Sequence, residues 1–148
     1  LGAGYISGSG ERKIPVMLHR AILGSFERFI GILIENYEGN FPTWLSPEQA
    51  IVMGITNRNN NYCIDIKNQL SRKGFRVNTD IRNEKIGLKI REHTMQKVPY
   101  LIIVGDKEEQ NKEISIRTRK GIDLGGMSID EFIKILEKSI SLKGRLDD

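Results

Sequence analysis

Apolar residues along this 148-residue chain change their spacing several times, and each change marks an element. Phe26, Phe29, Ile30, Leu33 and Ile34 recur every three or four positions, so residues 25–36 are predicted helical. Tyr62, Ile66 and Leu70 do the same within 62–72, and Gly74 stands just past that helix end, where a left-handed residue is favoured. Residues 85–96 also read as helix. A last helix carries Ile129, Phe132, Ile133, Leu136 and Ile140 on one face. Ser128 and Glu131 supply its capping box, and Met127 with Phe132 can staple its entry. Between these helices, 50–55 and 100–104 are continuous apolar runs of strand length, as in strands buried on both faces. Residues 75–81 alternate as a strand, and 113–119 set Ile114 and Ile116 against polar neighbours, the pattern of a strand with one wet face. Residues 105–112 read as a polar turn. Nearer the start, 5–12 reads as a hairpin with Gly8-Ser9-Gly10 at its tip, and 14–23 as a strand.

The pattern is interrupted at residues 37–40, after which Pro42 and Pro47 bracket Trp44. Proline resists both helix and ladder pairing, so this stretch is predicted to be an interdomain linker anchored by an aromatic. Beyond Pro47, strands alternate with helices. That order implies an α/β unit in three layers, with a mixed, mostly parallel sheet flanked by helices. No internal repeat or low-complexity tract is visible.

Composition narrows the class. With 39% hydrophobic and 28% charged residues the chain is ordinary for a soluble globular protein, and it has no apolar run long enough to span a bilayer, so no membrane partner is expected. The start shows no basic stretch followed by an apolar region, so no signal peptide is read, and the absent initiating Met suggests a piece of something longer. Cys63, the single cysteine, fits a reducing compartment and is expected to be a buried structural thiol. A net charge of +4 is a modest bias. Basic residues cluster at Arg82, Lys85, Lys89, Arg91 and Lys97, and again at Arg117, Arg119 and Lys120; the two readings are a solvated surface and an RNA-facing side.

Candidate chemistry begins at His19-Arg20-Ala21-Ile22-Leu23-Gly24-Ser25-Phe26-Glu27-Arg28-Phe29-Ile30-Gly31. Gly24 lets backbone approach a ligand closely, and Arg28 offers planar donors for phosphate or an adenine face. With Phe41-Pro42-Thr43-Trp44-Leu45-Ser46-Pro47, this string resembles the third signature motif of class II aminoacyl-tRNA synthetases, in wording closest to the threonyl-tRNA synthetase family. The resemblance continues through Asp80–Gly87, Lys89–Thr94, Val98-Pro99-Tyr100, Gly105–Glu108 and Arg117–Gly121, which are similar to that family's anticodon-binding domain. It implies a catalytic-domain tail over residues 1–46 and an anticodon-binding domain over 47–148. The parent reaction it implies is ATP-dependent attachment of threonine to its tRNA, in a cytoplasmic homodimer.

The resemblance also implies roles. Arg28 becomes a catalytic residue contacting ATP, with Gly24 and Ser25 shaping the nucleotide floor. His19 becomes one ligand of a zinc site whose other ligands, a Cys and a His in the family, have no counterpart in this chain. Zinc and ATP therefore belong to the parent enzyme, and the chain alone is expected to bind neither and to be inactive. His93 reads as a helix-surface or capping residue rather than a metal ligand. For RNA, Glu108 can accept from the donor edge of a guanine, Arg117 can donate to a base carbonyl, and Asn83 can do either; Lys85 and Arg91 suit phosphate. These positions match those the family uses on threonine anticodons, which share a middle G and a final U. Alternatives stay open: Glu108 pairing with Lys107, and Asn83-Glu84 only starting a helix. Two other functions stay open as well, a free-standing anticodon-fold binding module and a structural remnant without RNA affinity.

Overall fold

The computed structural model describes residues 2–143. They fall into two compact units divided between Leu33 and Ile34. In the first unit β1 (Tyr5–Ile6) pairs antiparallel with β2 (Arg12–Lys13), Tyr5 opposite Lys13. The expected hairpin tip is closed by Ser7 N–H donating to Glu11 O at 2.8 Å and Gly10 N–H to Ser7 O at 2.9 Å. The strand predicted over 14–23 is absent. No ladder pairs these residues, and Ile14, Val16 and Leu18 are 86%, 88% and 91% exposed. A β-prone sequence holds a strand only against a partner ladder and a face to bury, and a hairpin of two-residue strands supplies neither. Helix α1 (Phe26–Tyr37) forms as its spacing predicts, but none of its residues is buried.

The second unit is built on five strands, β3 (Ala50–Gly54), β4 (Val77–Asp80), β5 (Tyr100–Val104), β6 (Ile114–Thr118) and β7 (Asp123–Met127), in the order β4-β3-β5-β6-β7. The first three are parallel; β6 pairs antiparallel with β5, and β7 pairs antiparallel with β6, so β6 alone runs against the rest of the sheet. Helices α2 (Asn60–Arg72), α3 (Ile86–Met95), α4 (Asp106–Asn111) and α5 (Ile129–Ser141) complete it. Alternation along the strands divides the core in two. Ala50, Val52, Tyr100, Ile102, Ile114 and Ile116 pack with Cys63, Ile66 and Leu70 of α2 and Phe132 and Leu136 of α5. Ile51, Met53 and Leu101 face the other way, onto Ile86 and Ile90 of α3. The expected α/β layering follows from this alternation. Phe132 sits edge-on to Tyr100, ring centroids 5.5 Å apart, and the Ser128–Glu131 capping box closes as predicted, with Glu131 N–H donating to Ser128 Oγ at 3.3 Å and Ser128 N–H to Glu131 Oε2 at 2.9 Å.

Three features differ from the sequence reading. The polar turn over 105–112 contains α4, whose Asp106, Glu108 and Glu109 lie in its first turn, where carboxylates oppose the positive end of the helix dipole. Strand β7 went unread because Leu124-Gly125-Gly126 carries no side-chain alternation; it is held by its backbone ladder to β6, with a register shift at Ile116/Arg117. The linker is held by arginines rather than by its aromatic. Trp44 is 36% exposed, while Arg76 donates to Trp44 O and Ser46 O, and Arg119 to Phe41 O at 2.7 Å. Gln49, 2% exposed, adds bonds to Thr43 O and from Arg76 N–H. Turns buried beside a core leave carbonyls needing donors, and a guanidinium meets several at once.

Candidate nucleic-acid interface

The loops after β3, β4 and β5 leave the sheet at the carboxyl ends of three parallel strands, so they share one edge of it, the usual ligand-binding edge of open α/β sheets. Asn83 lies in the loop after β4, and Lys85 is the N-cap of α3. The Asn83-Glu84 helix-start alternative is not what forms, since α3 begins at Ile86. Asn83 Oδ1 instead accepts from Asn57 Nδ2 at 3.2 Å, across from the loop after β3. Lys85 and Arg91 are exposed and make no ion pair among the described residues, as a phosphate contact requires.

Glu108 does not pair with Lys107. Its Oε2 accepts the Gly105 N–H at 2.9 Å and its Oε1 accepts the Ser115 hydroxyl at 3.3 Å. A carboxylate has about four acceptor positions, so this fixes its direction while leaving capacity for two further donors. Gly105 gives the carboxylate room: a Cβ there would lie 2.9 Å from Glu108 Oε2 and 2.9 Å from Ile55 Cδ1, and would push both side-chain ends aside. Arg117 lies two residues beyond Ser115 on β6, hence on the same sheet face, opposite the buried Ile114 and Ile116. Its Nε donates to Gly121 O at 3.4 Å, leaving the outer guanidinium nitrogens available.

Beneath this edge is a polar cluster that the sequence reading missed. Asp80 is 5% exposed, and both its oxygens accept from Arg82, at 2.9 Å from Nε and 2.6 Å from Nη2. His93 Nε2 lies 2.9 Å from Asp80 Oδ2, so His93 is buried rather than on a helix surface. The Arg82 hydrogen bonds, aided by His93, hold the Asp80 carboxyl well below the usual carboxylate range despite burial. Lys89, 2% exposed, donates to Gly54 O at 3.3 Å and Asp80 O at 3.1 Å, joining the ends of β3 and β4. Arg82, Lys89 and Arg119 thus leave the basic clusters read as an RNA-facing surface, since each serves an internal bond. Strand-end position was the only sequence signal that could have marked Asp80, and nothing in the spacing of α3 marks Lys89.

The first unit places its candidates differently. His19, Gly24, Ser25 and Arg28 are all exposed, with Gly24 at φ 63° and Ser25 Oγ donating to Glu27 Oε2 at 2.6 Å. Among the described residues no group of three His, Cys, Asp or Glu side chains is arranged to hold a metal. One imidazole does not fit a catalytic zinc site, which takes three protein ligands, so no step is assigned to zinc here. Cys63 is fully buried as expected, and burial pushes its thiol up to about 11. No helix among the described residues is long and apolar enough to cross a membrane.

Comparison with known proteins bears on this geometry. Residues 49–139 match the family described as "Anticodon binding domain". The chain is 65% identical over 147 residues to a threonine–tRNA ligase of Prochlorococcus marinus, covering 99% of this chain and 23% of that protein. It therefore spans about a quarter of the length of that curated relative. Among solved structures, the RNA-binding domain of threonyl-tRNA synthetase from Cryptosporidium parvum superposes with TM-score 0.74 at 33% identity, over 82% of this chain and 30% of that one. A prolyl-tRNA synthetase from the same organism shares the fold, with TM-score 0.64 at 22% identity over 77% of this chain and 28% of that one.

Proposed function

Since the chain belongs to the anticodon-binding domain family, we propose that it reads the anticodon loop of the tRNA for threonine, as part of a threonine–tRNA ligase. One observation carries the reading. The family match falls on the sheet unit whose carboxyl edge gathers Asn83, Lys85 and the oriented carboxylate of Glu108, with Arg117 on the adjoining face. The high identity to a threonine–tRNA ligase supports the amino acid.

In this proposal residues 47–148 are the anticodon-binding domain and 1–46 the tail of a catalytic domain. Anticodon bases are read splayed out, by hydrogen bonds on their edges. Glu108 accepts from the donor edge of a guanine, and Arg117 donates to a guanine O6/N7 edge or a uracil carbonyl. Asn83 offers both a donor and an acceptor, while Lys85 and Arg91 hold the phosphates that bring the loop to the edge. Arg28, with Gly24 and Ser25, belongs to ATP binding in the whole ligase, a cytoplasmic homodimer that joins threonine to tRNA. The chain alone binds RNA without catalysing.

Titration against an anticodon stem-loop, and against loops with the G or the U replaced, tests the reading. Glu108→Ala and Arg117→Ala are each expected to narrow the gap between cognate and substituted loops by about 1–3 kcal/mol, a tenfold-scale change. Equal weakening of cognate and substituted loops would remove both residues from base reading.

A further inference from the structure

We propose that the 3-10 turn after β3, Asn57–Asn59, is a positioning bridge for base reading, in which Asn57 sets Asn83 and Asn59 sets Glu108. This rests on the base-reading assignment above and adds residues to it. Asn59 is fully buried. Its Oδ1 accepts from Thr56 Oγ1 at 2.8 Å and Thr56 N–H at 3.3 Å, and its Nδ2 donates to Asp106 Oδ1 at 3.0 Å and Glu109 Oε2 at 2.7 Å. Every donor and acceptor of the amide is thus engaged, which makes it a rigid tie.

The consequence lies in helix geometry. Asp106 and Glu109, three residues apart, share one face of α4, and Asn59 grips both. Glu108 is turned roughly 200° from Asp106, away from that grip, to the Gly105 N–H and the Ser115 hydroxyl. Three carboxylates in the first turn of a six-residue helix repel one another. The amide draws two of them aside and so decides which one faces the reading edge.

Two residues earlier in the same turn, Asn57 Nδ2 donates to Asn83 Oδ1 at 3.2 Å. That bond leaves the Asn83 amide N–H groups directed elsewhere and fixes which end of the side chain meets a base. Lys89 ties the stems of both loops through Gly54 O and Asp80 O. The turn therefore spans two proposed readers, Asn83 on one side and Glu108 on the other.

Double-mutant cycles on the ratio of cognate to substituted stem-loop affinity test this. Asn57→Ala is expected to lower the ratio about threefold to tenfold, with no further loss when added to Asn83→Ala. Glu109→Ala, which halves the grip of Asn59 on α4, is expected to do the same and to have no effect beside Glu108→Ala. Partial unfolding lowers affinity for every loop alike, so it leaves the ratio unmoved. Ratios that multiply independently in the double variants would overturn the bridge. If Asn83→Ala and Glu108→Ala lower the ratio while Asn57→Ala and Glu109→Ala do not, the bridge alone fails. If none of the four lowers it, base reading falls and the bridge falls with it.

Discussion

The two units of this chain contrast in where their information lies. The first carries the more distinctive wording, from His19 to Gly31, yet α1 buries none of its residues and 14–23 form no strand. The second has plainer motifs, but its sheet is packed on both faces by residues from α2, α3 and α5. A recognisable motif and a self-supporting fold are thus separate properties. A motif records contacts to a ligand, whereas a fold needs apolar area removed from water.

The largest expected effect separates the units by stability. Phe132→Ala, at a fully buried position against Tyr100, is expected to cost about 3–5 kcal/mol in denaturant unfolding. Leu18→Ala, at a position 91% exposed, is expected to cost no more than about 0.5 kcal/mol. Comparable losses from the two would erase the contrast.

A second test moves to the polar cluster beneath the carboxyl edge of the sheet. Asp80→Asn removes the charge and one of the two oxygens that Arg82 and His93 share, with an expected cost of about 2–3 kcal/mol; Arg82, half exposed and still bonded to Glu92, regains water and keeps the loss below that of a fully buried pair. The pH dependence has a definite sign. Because the folded Asp80 carboxyl titrates below its ordinary value of 3.8, its contribution is complete above that pH and is lost as pH falls below it toward the folded value. Glu48, raised by burial, acts in the opposite sense, weakening the fold as its carboxyl ionises. Acid unfolding curves for wild type and Asp80→Asn should therefore converge as pH drops below 3.8. A gap that stays constant to low pH would remove Asp80 from the acid response.

The layout of the sheet unit was legible because its signals were local: continuous apolar runs at β3 and β5, and the Ser128–Glu131 cap before α5. What escaped depends on tertiary neighbours. No spacing rule marks Lys89 as buried, since it sits on a helix otherwise read as basic surface, and only the carbonyls of Gly54 and Asp80 explain it. The tie made by Asn59 joins residues 47 and 50 positions away, beyond the reach of any periodicity. The candidate readers Asn83 and Glu108 were legible as residue types, whereas the contacts that orient them were not.

Smaller still is the effect expected at Lys85 and Arg91. Each alanine substitution should weaken all stem-loops similarly and reduce the salt dependence of log affinity by about 0.7, as one phosphate contact releases fewer counterions. An unchanged slope would place these side chains away from phosphate.

Amide hydrogen exchange with and without a threonine anticodon stem-loop tests the central claim most directly, since it reads both units in one experiment. Added RNA is expected to slow exchange around residues 55–59, 81–91, 105–109 and 115–121, and to leave 5–33 unchanged. Protection confined to 5–33, or spread evenly over the chain, would contradict the assignment of RNA recognition to the carboxyl edge of the sheet.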